Sequence, residues 1–293
     1  MNNDQIPLEF LNFSIPQYPS LNTKKNFEAY FFEYFQNQEF NTSLKYIPIQ
    51  WTNYLVKQNY GRDIQDLNNY LKLNLKSEEK YFTIVQYSGG PLIELENTLI
   101  FSMGGTMNTK LGKNSKVIPL PLLYDSNLKK ADLEKKYIAS YIGRPTHKIR
   151  TKLEDRITSN EKFYIKNITS MSSSISKENL ELFEKLIKES YFSICPRGYG
   201  PTSFRLYESI QMGTVPIYIS DKFFLPYIEF LDWSEFAILL KSRKISSLPR
   251  KLNNLIESGE YFRLKDNLDK VSEKYFNFLY MSKYIKSIVE NYD

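Results

Sequence analysis

Apolar positions along the chain fall into two kinds of run. Phe27, Tyr30, Phe31, Tyr34 and Phe35 recur at helical spacing and predict an amphipathic helix over 24–38. Ile64, Leu67, Tyr70 and Leu71 predict a second over 63–75. The other kind is short, continuous and bounded by glycine, proline or polar residues. It covers 44–50, 81–87 (ending at Ser88-Gly-Gly-Pro91), 98–102 (ending at Met103-Gly-Gly105) and 116–119. Such runs read as strands buried on both faces. Residues 1–22, rich in Pro and Asn, are expected to run over the surface.

Pro119, Pro121 and the charged run 129–136 mark a linker, after which the alternation restarts. Strands are predicted at 137–142, 162–166, 191–195, 215–219 and 236–240. Helices are predicted at 146–157, 177–188, 202–212 (stopping at Gly213), 248–258 and 260–292. Alternating strands and helices predict an α/β protein with mainly parallel sheets. The expected division is 1–130 and 131–293, with the last helix able to pack back on the first domain. Two doubly wound, Rossmann-like domains facing a central cleft would bring both sets of strand ends to one site.

Composition narrows the chemistry. At 293 residues and 42% hydrophobic, the chain can bury one large core or two medium ones. A net charge of +6 suits an anionic small ligand as well as a polyanion. No lysine/arginine block or repeated basic helix marks a nucleic-acid groove, so nucleic acid is not an expected partner. Cys195 is the only cysteine, which excludes an intrachain disulfide. Its place at the end of an apolar strand suits a buried small hydrophobe. With His147 the only histidine, a zinc site is not expected. No signal-peptide pattern and no apolar run near the ~18 residues of a membrane span are present. The expectation is a soluble, cytoplasmic protein.

The most informative stretch runs from Cys195 through Pro-Arg-Gly-Tyr-Gly-Pro-Thr-Ser-Phe-Arg-Leu-Tyr-Glu208 to Gly213. It reads as strand, glycine loop and helix, an arrangement that aims backbone N–H groups and a helix N-terminus at an anion. The loop residues Arg197, Gly198, Tyr199, Gly200, Thr202 and Ser203 are candidates for holding a phosphate. Arg205, in the first turn, can add a guanidinium fork. Glu208 lies three residues on, where a carboxylate suits ribose hydroxyls. The alternative for Arg205 and Glu208 is an exposed i,i+3 salt bridge, worth little. Arg144, in the Gly143-Arg-Pro-Thr-His147 segment, is expected at a neighbouring strand end in the same cleft. Arg144 and Arg205 are the candidate catalytic groups, as stabilisers of a leaving phosphate.

Other residues remain open. Arg150 reads as structural or exposed, and His147 as structural or as a proton carrier. Trp51 and Trp233 suit core packing or sugar stacking, and Asp221 suits turn capping or ligand binding. Asp125, Glu94 and Glu96 are acidic candidates near strand ends, none of them distinguished as a base.

The segment Ile194–Asp221, continued by Phe224-Leu-Pro-Tyr227 and Leu231-Asp-Trp-Ser-Glu-Phe236, resembles the C-terminal signature of the exostosin family, glycosyltransferase family 47. Ser140-Tyr-Ile-Gly-Arg144 resembles the first strand of that family's donor half. The resemblance implies a GT-B architecture and inverting sugar transfer from a nucleotide-diphosphate sugar to a glycan hydroxyl, with no cofactor and no metal needed for catalysis. A UDP-sugar is the expected donor, with guanosine as the other base. It also implies that Arg205 meets the diphosphate, Glu208 the donor ribose, and Arg144 and Arg197 the same anion site. The N-terminal acidic or histidine-bearing motif of the family is not evident, and Ser88-Gly-Gly90 stands in its place. A non-catalytic nucleotide-sugar or glycan-binding relative is therefore the alternative. Without a membrane anchor, the chain resembles a soluble viral or bacterial member.

Overall fold

The computed structural model describes residues 7, 9–11, 25–106, 109–124, 128–131, 133–157, 159–168 and 177–292. In chain order the helices are α1 (Phe27–Gln36), α2 (Trp51–Lys57), α3 (Gln65–Asn74), α4 (Lys148–Arg156), α5 (Lys177–Lys188), α6 (Phe204–Gln211), α7 (Leu248–Glu257), α8 (Glu260–Tyr275) and α9 (Phe278–Glu290). The strands are β1 (Lys45–Tyr46), β2 (Tyr81–Val85), β3 (Thr98–Ser102), β4 (Lys116–Pro119), β5 (Tyr137–Gly143), β6 (Phe163–Asn167), β7 (Ser190–Pro196), β8 (Val215–Ile219) and β9 (Ile238–Leu240). Two compact units result: 1–126 with 278–293, and 127–277. The class is α/β, and every strand pairing described is parallel.

The first unit carries a four-stranded sheet in the order β1-β2-β3-β4. β2 and β3 are buried along their whole length, as continuous apolar runs should be. The run 44–50, read as one strand, yields a two-residue strand. Pro48 has no N–H to give a ladder, and Trp51 opens α2. Residues 51–55 of α2 are all buried, so no polar face betrays the helix in the sequence. Aromatic rings fill the space above the sheet. Tyr46 stacks on Phe82 at 4.9 Å, and Phe35 lies 4.9 Å from Tyr46. Phe10 is also buried at 2% exposure, its ring edge-on to Tyr54, so this part of the N-terminal segment does not run over the surface.

A single acid ties this unit together near its strand exits. Glu28, on α1 and 1% exposed, accepts from the Thr52 N–H (3.0 Å), the Thr52 hydroxyl (2.8 Å) and the Gln86 N–H (2.7 Å). Gln86 returns the contact, its side-chain oxygen accepting from the Phe27 N–H at 3.3 Å. Burial pushes the Glu28 carboxyl up to about 7 against the pull of these donors.

The predicted helix 260–292 is two helices. The break falls at Phe276, whose ring is 2% exposed among Tyr207, Tyr227, Trp233 and Phe236 of the second unit. α9 then belongs to the first unit, where Phe278 packs 5.1 Å from Phe27. Nothing local in the sequence marks this stop.

The second unit carries a five-stranded sheet in the order β6-β5-β7-β8-β9. β5 is followed in the chain by β6 on one side and then by β7 on the other. This is the strand-order reversal at which open α/β sheets form a crevice beyond their carboxyl ends. Ile142, Phe183, Leu186, Ile187 and Met212 form a buried cluster of this unit. Among the described residues, no helix is long and apolar enough to cross a membrane.

Candidate functional site

Two loops flank the reversal point of the second sheet. The first leaves β5 through Gly143-Arg144-Pro-Thr-His147 and enters α4. The second leaves β7 through Pro196-Arg197-Gly198-Tyr199-Gly200-Pro-Thr-Ser203 and enters α6.

Arg150 joins these loops. It is 9% exposed and spends its guanidinium on three carbonyls. Nη1 donates to Arg144 O (3.1 Å), Nε to Arg197 O (3.0 Å) and Nη2 to Pro196 O (3.3 Å). Burial lowers its pKa to about 10, so the group stays charged at neutral pH. Arg150 therefore keeps a buried positive charge where the two loops meet. The sequence held a signal for this: Arg150 shares the α4 face of Leu153 and Ile157, both buried, where a solvated arginine would not sit.

Arg197 is 7% exposed and folds back on its own loop. Nε donates to Gly200 O at 3.1 Å and Nη2 to Tyr199 O at 3.0 Å. Its backbone N–H donates to Ile219 O, and the Gly198 N–H donates to Thr202 O. The expected phosphate ligand is thus also the brace of the loop. The Tyr218 hydroxyl adds a tie from β8, donating to Pro201 O at 2.7 Å. So held, the loop presents Tyr199 at 75% exposure between two glycines.

Arg205, near the start of α6, is partly buried. Its guanidinium lies over the Tyr141 ring (4.8 Å) and the Phe183 ring (5.0 Å) and donates to the Ile142 carbonyl. It thereby reaches across to the end of β5. Gly143 leaves room for it, since a Cβ there would stand 2.9 and 3.1 Å from its two terminal nitrogens. Glu208 lies one turn further along α6, partly buried. Arg144 is partly buried at the opposite loop.

Three hydroxyls at the loops, those of Thr146, Thr202 and Ser203, lack partners. Ser203, 8% exposed, precedes α6 in extended conformation with no side-chain capping bond, and its Oγ is buried and unpaired. Thr146 Oγ1 is likewise unpaired and lies 3.8 Å from where a Cβ on Gly198 would stand. Buried hydroxyls without partners cost free energy unless a ligand or water meets them. Thr202, 3% exposed, completes the loop.

Other candidates have structural duties. His147 caps α4, its Nδ1 accepting from the Ile149 N–H at 3.2 Å. Burial first, then Arg197 and Lys148, hold its pKa below the ordinary value. Asp221 caps a turn by accepting from the Ser242 N–H at 3.1 Å. The Trp51 indole donates to Thr83 Oγ1 and the Trp233 indole to Pro226 O, and both rings are core. Cys195 is buried and its thiol pushed up by burial, as a small hydrophobe rather than a nucleophile. Glu94 and Glu96 precede the amino end of β3, away from the strand exits, and are exposed; Asp125 lies outside the described residues. In Ser88-Gly-Gly90, the Gly90 N–H closes a turn on Tyr87 O at φ 81°, which favours glycine. Among the described residues no group of three or more His, Cys, Asp or Glu is placed to hold a metal ion.

The profile described as "Exostosin GT47 domain" matches residues 93–255, more than half of the chain. A probable glucuronosyltransferase of Oryza sativa subsp. japonica is 28% identical over 43% of this chain and 27% of its own length. The Exostosin-1 homolog of Caenorhabditis elegans is 39% identical over 24% of this chain and 18% of its own length. The aligned stretches thus span about a quarter or less of these curated relatives. A solved pneumococcal O-GlcNAc transferase, GtfA, in complex with UDP and GlcNAc, is 12% identical over 84% of this chain and 49% of that one. The TM-score is 0.41.

Proposed function

The chain belongs to the exostosin family, glycosyltransferase family 47, and from that premise we propose that it transfers a sugar from a nucleotide-diphosphate sugar to a hydroxyl of a glycan acceptor. The observation that carries this reading is the pair of loops that leave β5 and β7 at the strand-order reversal. Arg150 ties the two loops together, Arg205 reaches from α6 to the end of β5, and Arg144 lies in the first loop, all within the matched residues.

The chemistry follows from where charge develops. The acceptor oxygen attacks the anomeric carbon as the bond from that carbon to the donor's phosphate oxygen breaks. The electron pair leaves with the diphosphate. A single in-line displacement inverts the anomeric centre. Guanidinium groups and loop N–H groups, already in place, stabilise the growing negative charge without needing a metal to do so. Arg205 is well suited, because the Tyr141 and Phe183 rings and the Ile142 carbonyl hold its guanidinium at the end of β5. Ser203 and Thr146 offer hydroxyls to phosphate oxygens, and Glu208 suits the ribose. A UDP-sugar is the donor assigned, with Tyr199 as an exposed ring for the flat base.

The test pairs binding with turnover. UDP and UDP-sugars should raise the melting temperature where GDP does not, since a ligand of the folded state stabilises it. With a glycan acceptor, nucleotide diphosphate should be released. Arg205→Ala should cut this by about 10²–10³-fold, the usual loss for one leaving-charge donor. Binding without turnover against any acceptor would instead assign a non-catalytic relative, and absence of both would overturn the reading.

A further inference from the structure

Arg150 and Arg205 bring two positive charges towards the end of β5, and the partners described above for both are neutral. Arg150 meets three carbonyls. Arg205 meets two rings and a carbonyl. Tyr141, on β5 and 1% exposed, touches both arginines. The Arg205 guanidinium lies 4.8 Å over its ring. Burial lowers the pKa of Arg150, and a hydrogen bond between its side chain and the Tyr141 phenol raises it.

The direction of that phenol is set by Asn167. Tyr141 and Gly143 share one face of β5, and Asn167 stands opposite Gly143 on β6. Asn167 Nδ2 donates to Glu154 Oε2 (2.7 Å) and to Arg150 O (3.3 Å), and a carboxylate and a carbonyl can only accept. Turning the amide over would set its oxygen against those two oxygens. Asn167 Oδ1 therefore faces Tyr141 and accepts from its hydroxyl at 3.3 Å. The phenol proton is spent on Asn167, and the lone pairs of the phenol oxygen are left for the arginines. Arg205 is close enough to use them. A Cβ on Gly143 would stand 3.1 Å from the Tyr141 oxygen and 2.9 and 3.1 Å from the two terminal nitrogens of Arg205.

We propose that Tyr141, oriented by Asn167, is a positioning residue of the anion site: its ring and its oxygen fix Arg205 and Arg150 and leave both charges for a ligand. A carboxylate in its place would bind the arginines more strongly and neutralise them. A phenol whose proton is engaged elsewhere holds them without doing so. That the ligand is a nucleotide diphosphate rests on the transfer reading. The arrangement of the two arginines does not, so the probe is inorganic pyrophosphate.

Calorimetry on the whole chain measures pyrophosphate affinity. Tyr141→Leu should weaken it about tenfold or more, and Tyr141→Phe, which keeps the ring and loses one acceptor, about threefold. In an Arg205→Ala background the loss from Tyr141→Leu should shrink to about threefold or less, because the ring then has no guanidinium to carry. Asn167→Ala should match Tyr141→Phe, and the two together should lose no more than either alone, since Asn167 acts through the phenol. This second pair decides the matter if Tyr141→Leu does not fold. An equal loss from Tyr141→Leu in both backgrounds, or additive losses from Tyr141→Phe and Asn167→Ala, would make these residues structural only and overturn the proposal. So would a wild-type chain that does not bind pyrophosphate. Pyrophosphate binding with the expected coupling but no donor turnover would support the proposal and count against the transfer reading alone.

Discussion

The two units solve the same problem with opposite charges. Each ties the exits of parallel strands to neighbouring helices through one buried ionisable side chain. In the second unit that side chain is Arg150, which takes up three loop carbonyls. In the first it is Glu28, which takes up two backbone N–H groups and a hydroxyl. The sign decides what the loops have left to offer. A cationic hub consumes acceptors and leaves a positive field suited to phosphate. An acidic hub consumes donors, so the strand exits of the first unit have fewer N–H groups left to offer an anion.

The comparison breaks most visibly at Arg150. Arg150→Ala removes the guanidinium donors from the buried Arg197 and Pro196 carbonyls, while Arg144 O keeps the Thr146 N–H, and should destabilise the protein by about 3 kcal/mol, read from the urea midpoint, with loss of the UDP-induced thermal shift. Arg150→Lys keeps the charge but not the fork and should recover only part of both. Wild-type stability and UDP response in Arg150→Ala would remove the hub from the account.

Glu28 sharpens the comparison through pH. Its folded-state pKa of about 7 lies above the ordinary 4.5, so the folded protein holds a proton that the unfolded chain has lost. Stability from this group is full below pH 4.5 and is lost as pH rises through 7, by about 3 kcal/mol in all. Arg150, at about 10, stays charged throughout this window and adds no such slope. Hydrogen exchange should therefore show α1 amides losing protection between pH 5 and 7.5 while α4 amides hold theirs. Glu28→Gln should flatten the α1 response.

The smallest effect is expected at Ser203. Its buried hydroxyl has no partner in the free protein, so Ser203→Ala should leave the urea midpoint unchanged or raise it slightly. UDP affinity should fall about tenfold or less, the worth of one hydrogen bond. A fall in stability without a change in affinity would make Ser203 a structural residue.

Much of the second unit was legible because its elements are local. Continuous apolar strands, glycine punctuation and the helical spacing of α5 and α6 are written in neighbouring residues. The roles of the arginines were less so. Arg197 reads as a ligand from its place beside two glycines, and the fold uses it as a brace as well. Arg150 reads as structural or exposed, being further along its helix, although its apolar helix face marked it as buried. α2 and the break at Phe276 were invisible for a related reason. α2 shows no polar contrast because it is buried, and the break depends on rings more than 35 residues away.

The sequence by itself determined the α/β class, the order of most elements, the family, and the loop at which an anion would be sought. These follow from periodicity, turn residues and a contiguous motif, all of which are short-range. Only the tertiary structure decided that β5 and β7 lie side by side, that Arg150 joins their exits, and that Arg205 rests on Tyr141 and Phe183. Each of these joins residues distant in the chain. Side-chain burial and hydrogen-bond geometry, which spacing does not encode, select among the partners available.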